Sequence, residues 1–335
     1  MVPPQGTSPP LDRSLGRYRG CILGLAIGDA LGAPIEFLTL TDIRARYGPN
    51  GITDLEAWRG HPAGSFTDDT QMSVATAIGL LSAFEDEARR GASHVVGSLY
   101  GTYGAWLELQ VDEREQRGPG RTCITALASG RIGTVTQPLN DSKGCGGVMR
   151  VAPIGLAFPA EVAFRYGADA AAITHGHPSG YLSAGLLAEI VARLADGEDL
   201  HAAADAACNS LGAWEGHRET LEAVHRAATL AAGPTPTHEA VAALGAGWVG
   251  EEALGIALFC AMRFGADFRS AVCAAANHDG DSDSTASICG AIVGTAHGVE
   301  ALPKSWVERV ERRALLEDLA RRMHEAFVRG SSPPV

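Results

Sequence analysis

Two rows of glycine, each spaced by four residues, constrain the fold of this chain more than any other feature of its sequence. They lie near opposite ends of the chain: Gly20, Gly24, Gly28 and Gly32, and Gly290, Gly294 and Gly298. Residues four apart share one face of an α-helix, and a face without side chains lets a second helix approach closely. Glycine costs about 1 kcal/mol relative to alanine inside a helix, so its repeated use predicts close helix packing. The alternative is chance, since 41 of 335 residues are glycine.

The composition favours a fold made of helices. The chain has 56 Ala and only 6% aromatic residues, whereas strands favour β-branched and aromatic side chains. Apolar residues recur at helical spacing in four segments: 73–81, 182–194, 254–264 and 306–327. The last segment predicts a single amphipathic surface helix.

No internal repeat and no linker divides the sequence. We therefore predict one all-α domain over residues 15–329. Prolines at the N-terminus and a Gly-Ser-Ser-Pro-Pro run at the C-terminus predict disordered tails at 1–14 and 330–335.

The charge and the cysteine content argue against several classes of protein. A net charge of −12 disfavours extended contact with nucleic acid or anionic lipid. No apolar run approaches the roughly 20 residues of a membrane helix, and Met1–Pro10 lacks the apolar core of a signal peptide. The seven cysteines form no C-x-x-C pair, which favours the reducing cytosol over a disulfide framework or a zinc ribbon. We expect a cytoplasmic monomer without a membrane partner.

Two acidic clusters stand directly before apolar helical segments. In the first, Ser65–Thr70, the adjacent Asp68 and Asp69 are flanked by threonine hydroxyls. One interpretation is an N-terminal helix cap, because a threonine at the cap and aspartates in the first turn satisfy free N–H groups and the helix dipole. A cap needs only one such residue, so metal binding is the other interpretation.

The second cluster, Asp279–Thr285, carries three carboxylates at alternate positions. Such carboxylates repel one another unless a cation lies among them, and oxygen ligands without nearby cysteine favour Mg²⁺, Mn²⁺ or Ca²⁺ over zinc. An EF-hand loop that starts at Asp279 is excluded by counting. Its sixth position would be Ser284 instead of glycine, and its twelfth would be Gly290 instead of glutamate. Helix capping alone is the remaining alternative.

Together the two clusters supply four acids that could hold two divalent ions: Asp68, Asp69, Asp281 and Asp283. If the two glycine rows pack together, they bring these acids to one site. A further acid, Glu36, follows the first glycine row. Pro34 is expected to end that helix, which places Glu36 in a loop beside it. Taken alone, Glu36 would be a solvated loop residue.

Three segments, in this order, resemble the ADP-ribosylglycohydrolases: Gly20–Glu36, Thr67–Thr70 and Gly280–Thr285. The resemblance implies an all-α domain with two divalent ions, Mg²⁺ before Mn²⁺, in a central cleft. The metal ligands that it implies are Thr67, Asp68, Asp69, Asp281, Asp283 and Ser284. The family usually has threonine at the last position, and the serine hydroxyl can still coordinate a metal.

The resemblance also implies catalytic and substrate-binding residues. Glu36 matches a glutamate that acts in catalysis in some members, and either Glu36 or Asp69 would take a proton from the attacking water. The implied ADP-ribose-binding residues are Ser142, Lys143, Gly144, Cys145, Gly146, Gly147, Met149 and His175. Backbone N–H groups in such a glycine-rich loop suit phosphate oxygens and a close ribose. Taken alone, the loop would be read as an ordinary loop, and a loop histidine without chemistry is the alternative for His175.

Two further positions and one segment depart from the family pattern. Lys143 and Cys145 stand where relatives often have tyrosine and asparagine. A lysine could pair with phosphate, whereas loss of the asparagine amide removes a hydrogen bond near the distal ribose. Segment Gly118–Thr122 lacks the acidic residue that arginine-specific relatives carry nearby, which weakens the case for ADP-ribosyl-arginine.

The reaction that the resemblance implies is hydrolysis of the glycosidic bond at C1″ of ADP-ribose. The metals would bind the 2″ and 3″ hydroxyls and orient a water. The leaving group stays open among arginine, serine, a nucleobase and a phosphate. Two other functions also stay open: a two-metal phosphohydrolase, and a noncatalytic, crystallin-like protein that binds ADP-ribose.

Overall fold

A computed structural model describes residues 13–329, and within them the chain forms sixteen α-helices and no β-strand. In chain order, α1 to α16 are Leu15–Gly32, Leu40–Tyr47, Asp68–Arg90, Val95–Leu109, Arg121–Ala128, Ala152–Ala157, Ala160–Ala172, Pro178–Ala195, Leu200–Leu211, Arg218–Ala232, Thr237–Leu244, Gly250–Phe264, Phe268–Ala276, Ser282–His297, Lys304–Arg309 and Arg313–His324. Short helical turns of other types are Cys145–Arg150, Val299–Ala301 and Glu325–Arg329. The prediction of a single all-α domain is confirmed. None of these helices has both the length and the apolar character needed to cross a bilayer.

The two glycine rows face each other where α1 packs antiparallel to α14. A Cβ atom on Gly28 would lie 2.0 Å from the Ala286 carbonyl oxygen, and one on Gly24 would lie 2.3 Å from the Gly290 carbonyl oxygen. These distances are well inside van der Waals contact, so the crossing has no room for a larger residue. The prediction that the glycine rows permit close helix packing is confirmed.

The same pairing continues to both ends of α14. At its start, a Cβ on Gly32 would lie 2.3 Å from the Ser282 carbonyl oxygen. At its other end, Gly298 follows the last turn with a φ of 76°, a conformation that favours glycine and ends the helix. The end of α1 therefore meets the start of α14, which is where the second acidic cluster lies.

Alanine and glycine also bring the central helices together elsewhere. A Cβ on Gly167 of α7 would lie 2.7 Å from the Ala188 Cβ of α8, and one on Gly155 of α6 would lie 2.4 Å from the Ala188 carbonyl oxygen. Helices α1, α8, α12 and α14 are almost wholly buried and form the centre of the core. The predicted helical segments 73–81, 182–194 and 254–264 lie inside α3, α8 and α12.

The prediction of one helix over 306–327 is wrong, because the chain turns between α15 and α16. At the turn, the Glu311 N–H donates to the Gly64 carbonyl at 2.9 Å. The Glu311 carboxylate pairs with the Arg117 guanidinium at 2.9 and 3.0 Å, and Arg312 takes a left-handed φ of 51°. These tertiary contacts override the local pattern. Of the apolar residues that form the stripe in this segment, Phe327 is half-buried and the other four are buried: Val310, Leu316, Leu319 and Met323.

The predicted tails lie mostly outside the described residues. Of the N-terminal tail, only Arg13 and Ser14 are described. The Ser14 hydroxyl accepts a hydrogen bond from the Arg17 N–H at 3.4 Å and caps α1, while the Arg13 guanidinium pairs with the Asp196 carboxylate. The predicted C-terminal tail, 330–335, lies wholly outside them.

Candidate active site

The starts of α3 and α14 meet at a cleft of about 410 Å³. The close pairing of α1 with α14 brings the turn after α1 to the same place. Of the residues that sequence reasoning proposed, the cleft is lined by Glu36, Asp68, Asp69, Gly144, Cys145, Gly146, Met149, His175, Asp281, Asp283 and Ser284. Two acidic clusters from opposite ends of the chain therefore share one cleft.

The first cluster forms the start of α3. The Thr67 hydroxyl accepts a hydrogen bond from the Asp69 N–H at 3.3 Å, so the capping interpretation of this threonine is confirmed. The Asp68 N–H donates to the Arg117 carbonyl at 3.2 Å, and the Arg117 guanidinium donates to the Phe66 carbonyl at 3.1 Å. Capping does not use every acidic oxygen. Asp69 Oδ2 is buried and has no hydrogen-bond partner among the described residues.

Asp29 ties α1 to the start of α3, and sequence reasoning did not propose it. Its fully buried carboxylate accepts hydrogen bonds from the Thr67 N–H at 2.8 Å, the Thr70 N–H at 2.9 Å and the Thr70 hydroxyl at 2.6 Å. These bonds satisfy free N–H groups of the first turn and fix the position of α3. The signal that could have found Asp29 is its place beside Gly28, on a helix face that must be buried.

The second cluster forms the start of α14. Asp281 caps the helix, and the Ser284 N–H lies 3.4 Å from Asp281 Oδ1 and 3.0 Å from Asp283 Oδ1. The Asp281 N–H donates to the Ala246 carbonyl at 2.9 Å. The preceding Gly280 has a φ of 141°, and a Cβ there would lie 2.0 Å from that carbonyl oxygen, so this turn requires glycine.

The carboxylates of the cleft disfavour one another's charged form. Burial first, and then the charge of Asp283, raises the pKa of Asp68, Asp69 and Asp281 well above the usual range of aspartate. The same two causes raise the pKa of Asp29. A cluster of this kind stays charged at neutral pH only if positive charge lies among its oxygens.

The donor atoms fit hard divalent cations such as Mg²⁺ and Mn²⁺. Carboxylate and hydroxyl oxygens from two helix starts are the ligands that these ions prefer, and the unpaired Asp69 Oδ2 is available to one of them. Within residues 13–329, no three acidic, histidine or cysteine side chains are already gathered around one point as ligands. In the same cleft, the Cys145 thiol donates to Asp281 Oδ2 at 2.6 Å.

Glu36 lies half-buried at the edge of the cleft, in the turn that follows α1. The helix ends at Gly32, as Pro34 predicts, and the Glu36 N–H donates to the Gly32 carbonyl at 3.1 Å. Burial, followed by the charges of nearby aspartates with Asp283 first, raises the pKa of Glu36, while the Arg59 guanidinium lowers it. The charges of the aspartates therefore act on Glu36, although Glu36 lies in the turn after α1 and not at the start of α3 or α14.

The glycine-rich loop forms one wall of the cleft and packs against His175. A Cβ on Gly144 would lie 3.3 Å from His175 Nε2, and one on Gly146 would lie 3.0 Å from His175 Cε1. Burial and then the charge of Arg150 lower the pKa of His175 to about 3. The neutral ring therefore supports the loop and does not exchange protons near pH 7.

Arg150 holds the end of this loop from behind. Its fully buried guanidinium donates to the Thr174 hydroxyl at 2.7 Å and the Ala170 carbonyl at 3.0 Å, and it lies 4.4 Å from the centroid of the Tyr103 ring. The Thr174 hydroxyl contacts His175 Nδ1 at 2.8 Å. Sequence reasoning assigned no role to Arg150. An arginine between a glycine-rich loop and an apolar helix is the signal that could have found this role.

Comparison with known proteins identifies the family. The sequence profile of the ADP-ribosylglycohydrolases matches residues 10–332, which include both acidic clusters and the glycine-rich loop. The chain belongs to the ADP-ribosylglycohydrolase family. The family consists of hydrolases that act on ADP-ribosyl groups, and the resemblance inferred from the sequence is confirmed.

The chain is similar to members of this family over most of its length. It is 32% identical to an uncharacterized protein from Archaeoglobus fulgidus, over 93% of this chain and 97% of that protein. It is 28% identical to the ADP-ribosyl-[dinitrogen reductase] glycohydrolase of Rhodospirillum rubrum, over 90% of this chain and 91% of that enzyme. A solved structure of an ADP-ribosylglycohydrolase-related protein complex matches with a TM-score of 0.71 and 26% identity, over 95% of this chain and 99% of that chain. The fold is that of the family.

Lys143 is held away from the cleft. Its ammonium group pairs with the Glu219 carboxylate at 3.0 Å and the Glu251 carboxylate at 2.5 Å. Three other proposed residues also lie outside the cleft lining: Thr67, Ser142 and Gly147. Cys145, in contrast, lines the cleft, and burial followed by the charge of Asp281 raises the pKa of its thiol.

The first residues of α5 and the three residues before it complete the cleft. All five residues of Gly118–Thr122 line it, and the only charged side chain in this segment is that of Arg121. Arg121 therefore brings a positive charge to a cleft that also carries the carboxylates of both acidic clusters.

Proposed function

We propose that this protein releases ADP-ribose from ADP-ribosylated substrates by metal-dependent hydrolysis of the glycosidic bond at C1″. The observation that carries the proposal is the convergence of buried carboxylates from the starts of α3 and α14 on one cleft. A volume of about 410 Å³ is in the range of small-molecule sites. Membership of the family supports the ADP-ribosyl chemistry.

Two divalent cations, Mg²⁺ first and Mn²⁺ as an alternative, would be held by Thr67, Asp68, Asp69, Asp281, Asp283 and Ser284. When bound, they would neutralise the carboxylates and orient the ribose hydroxyls and the attacking water. The hard oxygen donors and the unpaired Asp69 Oδ2 support this assignment. Thr67 uses its hydroxyl oxygen as an acceptor in the helix cap, and a hydroxyl has a second lone pair for a metal.

The proposed reaction adds water across the glycosidic bond. The water oxygen forms a bond to C1″, and the bond between C1″ and the leaving group breaks. One water proton goes to a protein carboxylate, and the leaving group takes up a proton. Glu36 is placed to accept the water proton because it lies at the edge of the cleft, and Asp69 is the other candidate. Cleavage with oxocarbenium character needs no covalent intermediate with the protein.

The ADP-ribose would lie against the wall formed by Gly144, Gly146 and His175. The two glycines present backbone without side chains, which lets a ribose or a phosphate approach closely. The neutral His175 ring, fixed through Thr174 and Arg150, keeps that wall in place. Lys143 would not contribute, because its ammonium is already paired with two glutamates.

Product analysis tests the proposed function. The substrates are ADP-ribosyl-serine, ADP-ribosyl-arginine, an ADP-ribosylated nucleobase and O-acetyl-ADP-ribose, each incubated with Mg²⁺ and with a chelator. We expect ADP-ribose from at least one substrate in Mg²⁺, its loss with the chelator, and its return when Mg²⁺ is restored. Release of AMP or inorganic phosphate would instead indicate a phosphohydrolase. Tight binding of ADP-ribose without turnover of any substrate would indicate a noncatalytic binding protein, and either result overturns the proposal.

A further inference from the structure

An aromatic pair stands at the mouth of the cleft, next to Glu36. The rings of Phe37 and Trp248 stack with centroids 5.1 Å apart and an interplanar angle of 22°. Both residues line the cleft, yet 61% of Phe37 and 40% of Trp248 is exposed. The pair therefore connects the turn after α1 with the segment before α12, across the opening of the site.

Backbone contacts hold both residues in place. Phe37 has a left-handed φ of 70°, which is unfavourable for a bulky side chain, and its N–H donates to the Gly280 carbonyl at 3.4 Å. The Trp248 carbonyl accepts a hydrogen bond from the Cys145 N–H at 3.1 Å. Neither ring belongs to the hydrophobic core of the described residues. Residues held in strained conformations cluster at ligand sites, so a role in binding explains Phe37 better than packing does.

One arginine contacts the aromatic pair and a second lines the same cleft. The Arg59 guanidinium lies over the Phe37 ring, 5.7 Å from its centroid, and Arg121 lines the cleft. These cations would attract a phosphate on the leaving group. Exposed aromatic faces next to arginines are the combination that binds a base and its phosphate.

We propose that Phe37 and Trp248 form a subsite that stacks on a nucleobase linked to C1″ of the ADP-ribosyl group. The inference rests on the proposed function and names its substrate class: a leaving group that is a nucleobase bearing a phosphate. A separation of 5.1 Å between ring centroids leaves no room for a third ring between them. The base therefore displaces one ring or stacks on the exposed face of Trp248. Contact with a single base is compatible with the net charge of −12, which disfavours a longer nucleic-acid footprint.

The competing occupant of this subsite is the adenine of the ADP-ribose itself. The two possibilities differ in a measurable way. If the pair binds the leaving group, removing a ring lowers kcat/KM only for substrates that carry a base at C1″. If the pair binds adenine, removing a ring lowers kcat/KM for every substrate and also weakens the binding of free ADP-ribose.

The test compares two kinds of substrate and two kinds of variant. The substrates are a nucleoside monophosphate and a short single-stranded oligonucleotide, each with one ADP-ribosylated base, and ADP-ribosyl-serine as the reference without a ring. Phe37→Leu and Trp248→Leu remove a ring, and the matched controls Phe37→Tyr and Trp248→Phe keep one. We expect the leucine variants to lower kcat/KM for the base-linked substrates by about 10-fold to 100-fold, the range for losing one base stack.

The same leucine variants should hydrolyse ADP-ribosyl-serine within about twofold of the wild type and bind free ADP-ribose with unchanged affinity in calorimetry. The ring-keeping controls should retain most of the base-linked activity. The base-linked substrate with the higher kcat/KM identifies the source of the base. Unchanged melting temperatures would show that the variants fold.

Three results would overturn the inference. Equal losses on all substrates together with weaker ADP-ribose binding would assign the pair to adenine. If the wild-type protein hydrolyses ADP-ribosyl-serine but no base-linked substrate, this substrate class is excluded and the proposed function stays intact. Release of ADP-ribose from no substrate would instead contradict the proposed function itself, and the inference with it.

Discussion

Replacing Asp283 with alanine should lower kcat/KM for ADP-ribose release by about 10³-fold or more. The charge of Asp283 is, after burial, the first cause that raises the pKa of Asp68, Asp69 and Asp281, so this carboxylate interacts with all three. A metal ion contributes several kcal/mol to transition-state stabilisation, and each 1.36 kcal/mol is tenfold in rate. We expect the same loss for Asp69→Ala, from the other helix start. Chromatographic measurement of ADP-ribose at saturating Mg²⁺ checks both.

Asp279→Asn is the matched control for these variants. Asp279 belongs to the same cluster in the sequence, but its carboxylate is exposed, accepts a hydrogen bond from the Leu40 N–H and does not line the cleft. The activity of Asp279→Asn should stay within about twofold of the wild type.

In metal-free buffer, Asp283→Ala should melt no lower than the wild type, because this substitution removes a repelling carboxylate. If Asp69→Ala and Asp283→Ala both keep their activity, the assignment of the site is wrong.

Gly28→Ala should lower the free energy of unfolding by about 3 kcal/mol or more, the upper range for overpacking a core. The added Cβ would lie 2.0 Å from the Ala286 carbonyl oxygen and 2.8 Å from the Ser287 nitrogen. Both are backbone atoms, so no side-chain rotation relieves the contact, and α1 must move away from α14. Since α14 carries Asp281 and Asp283 at its start, we also expect lower activity. Urea unfolding measures the stability change.

Gly101→Ala provides the same chemical change without the contact. Gly101 lies inside α4, and no described atom other than its own helix backbone and chain neighbours is within 4 Å of a Cβ built there. Alanine should raise stability at this position by about 0.5–1 kcal/mol through helix propensity. The two substitutions should therefore change stability in opposite directions. Equal effects would contradict the account of the glycine rows.

Regular spacing made the main packing interaction predictable from the sequence. Gly24 and Gly28 are four residues apart and therefore lie on one face of α1. The same spacing in the second glycine row predicts that the helix carrying that row packs against this face. The capping and metal interpretations of the acidic clusters, posed as alternatives, are compatible in the structure. Thr67 and Asp281 cap their helices, while Asp69 Oδ2 is left without a partner among the described residues and available for a cation.

Contacts between distant residues were not predictable in the same way. The break between α15 and α16 depends on Glu311 and its pairing with Arg117, 194 residues away in the sequence. Nothing in the periodicity of 306–327 encodes that partner. Asp29 was missed because its role depends on hydrogen bonds from the first turn of α3. These bonds exist only where α1 and α3 meet in the folded chain. Lys143 was expected to bind ADP-ribose because of its place in the glycine-rich loop, and the sequence could not show that two glutamates pair with its ammonium in the folded chain.

A titration with Mn²⁺, followed by electron paramagnetic resonance of the free ion, tests the central claim most directly. That claim is that the starts of α3 and α14 together hold two divalent cations. We predict two Mn²⁺ ions per wild-type chain, displaced by excess Mg²⁺, and fewer than two per chain in both Asp69→Ala and Asp283→Ala. Absence of Mn²⁺ binding to the wild-type protein, or two ions bound with unchanged affinity in both variants, would contradict the account.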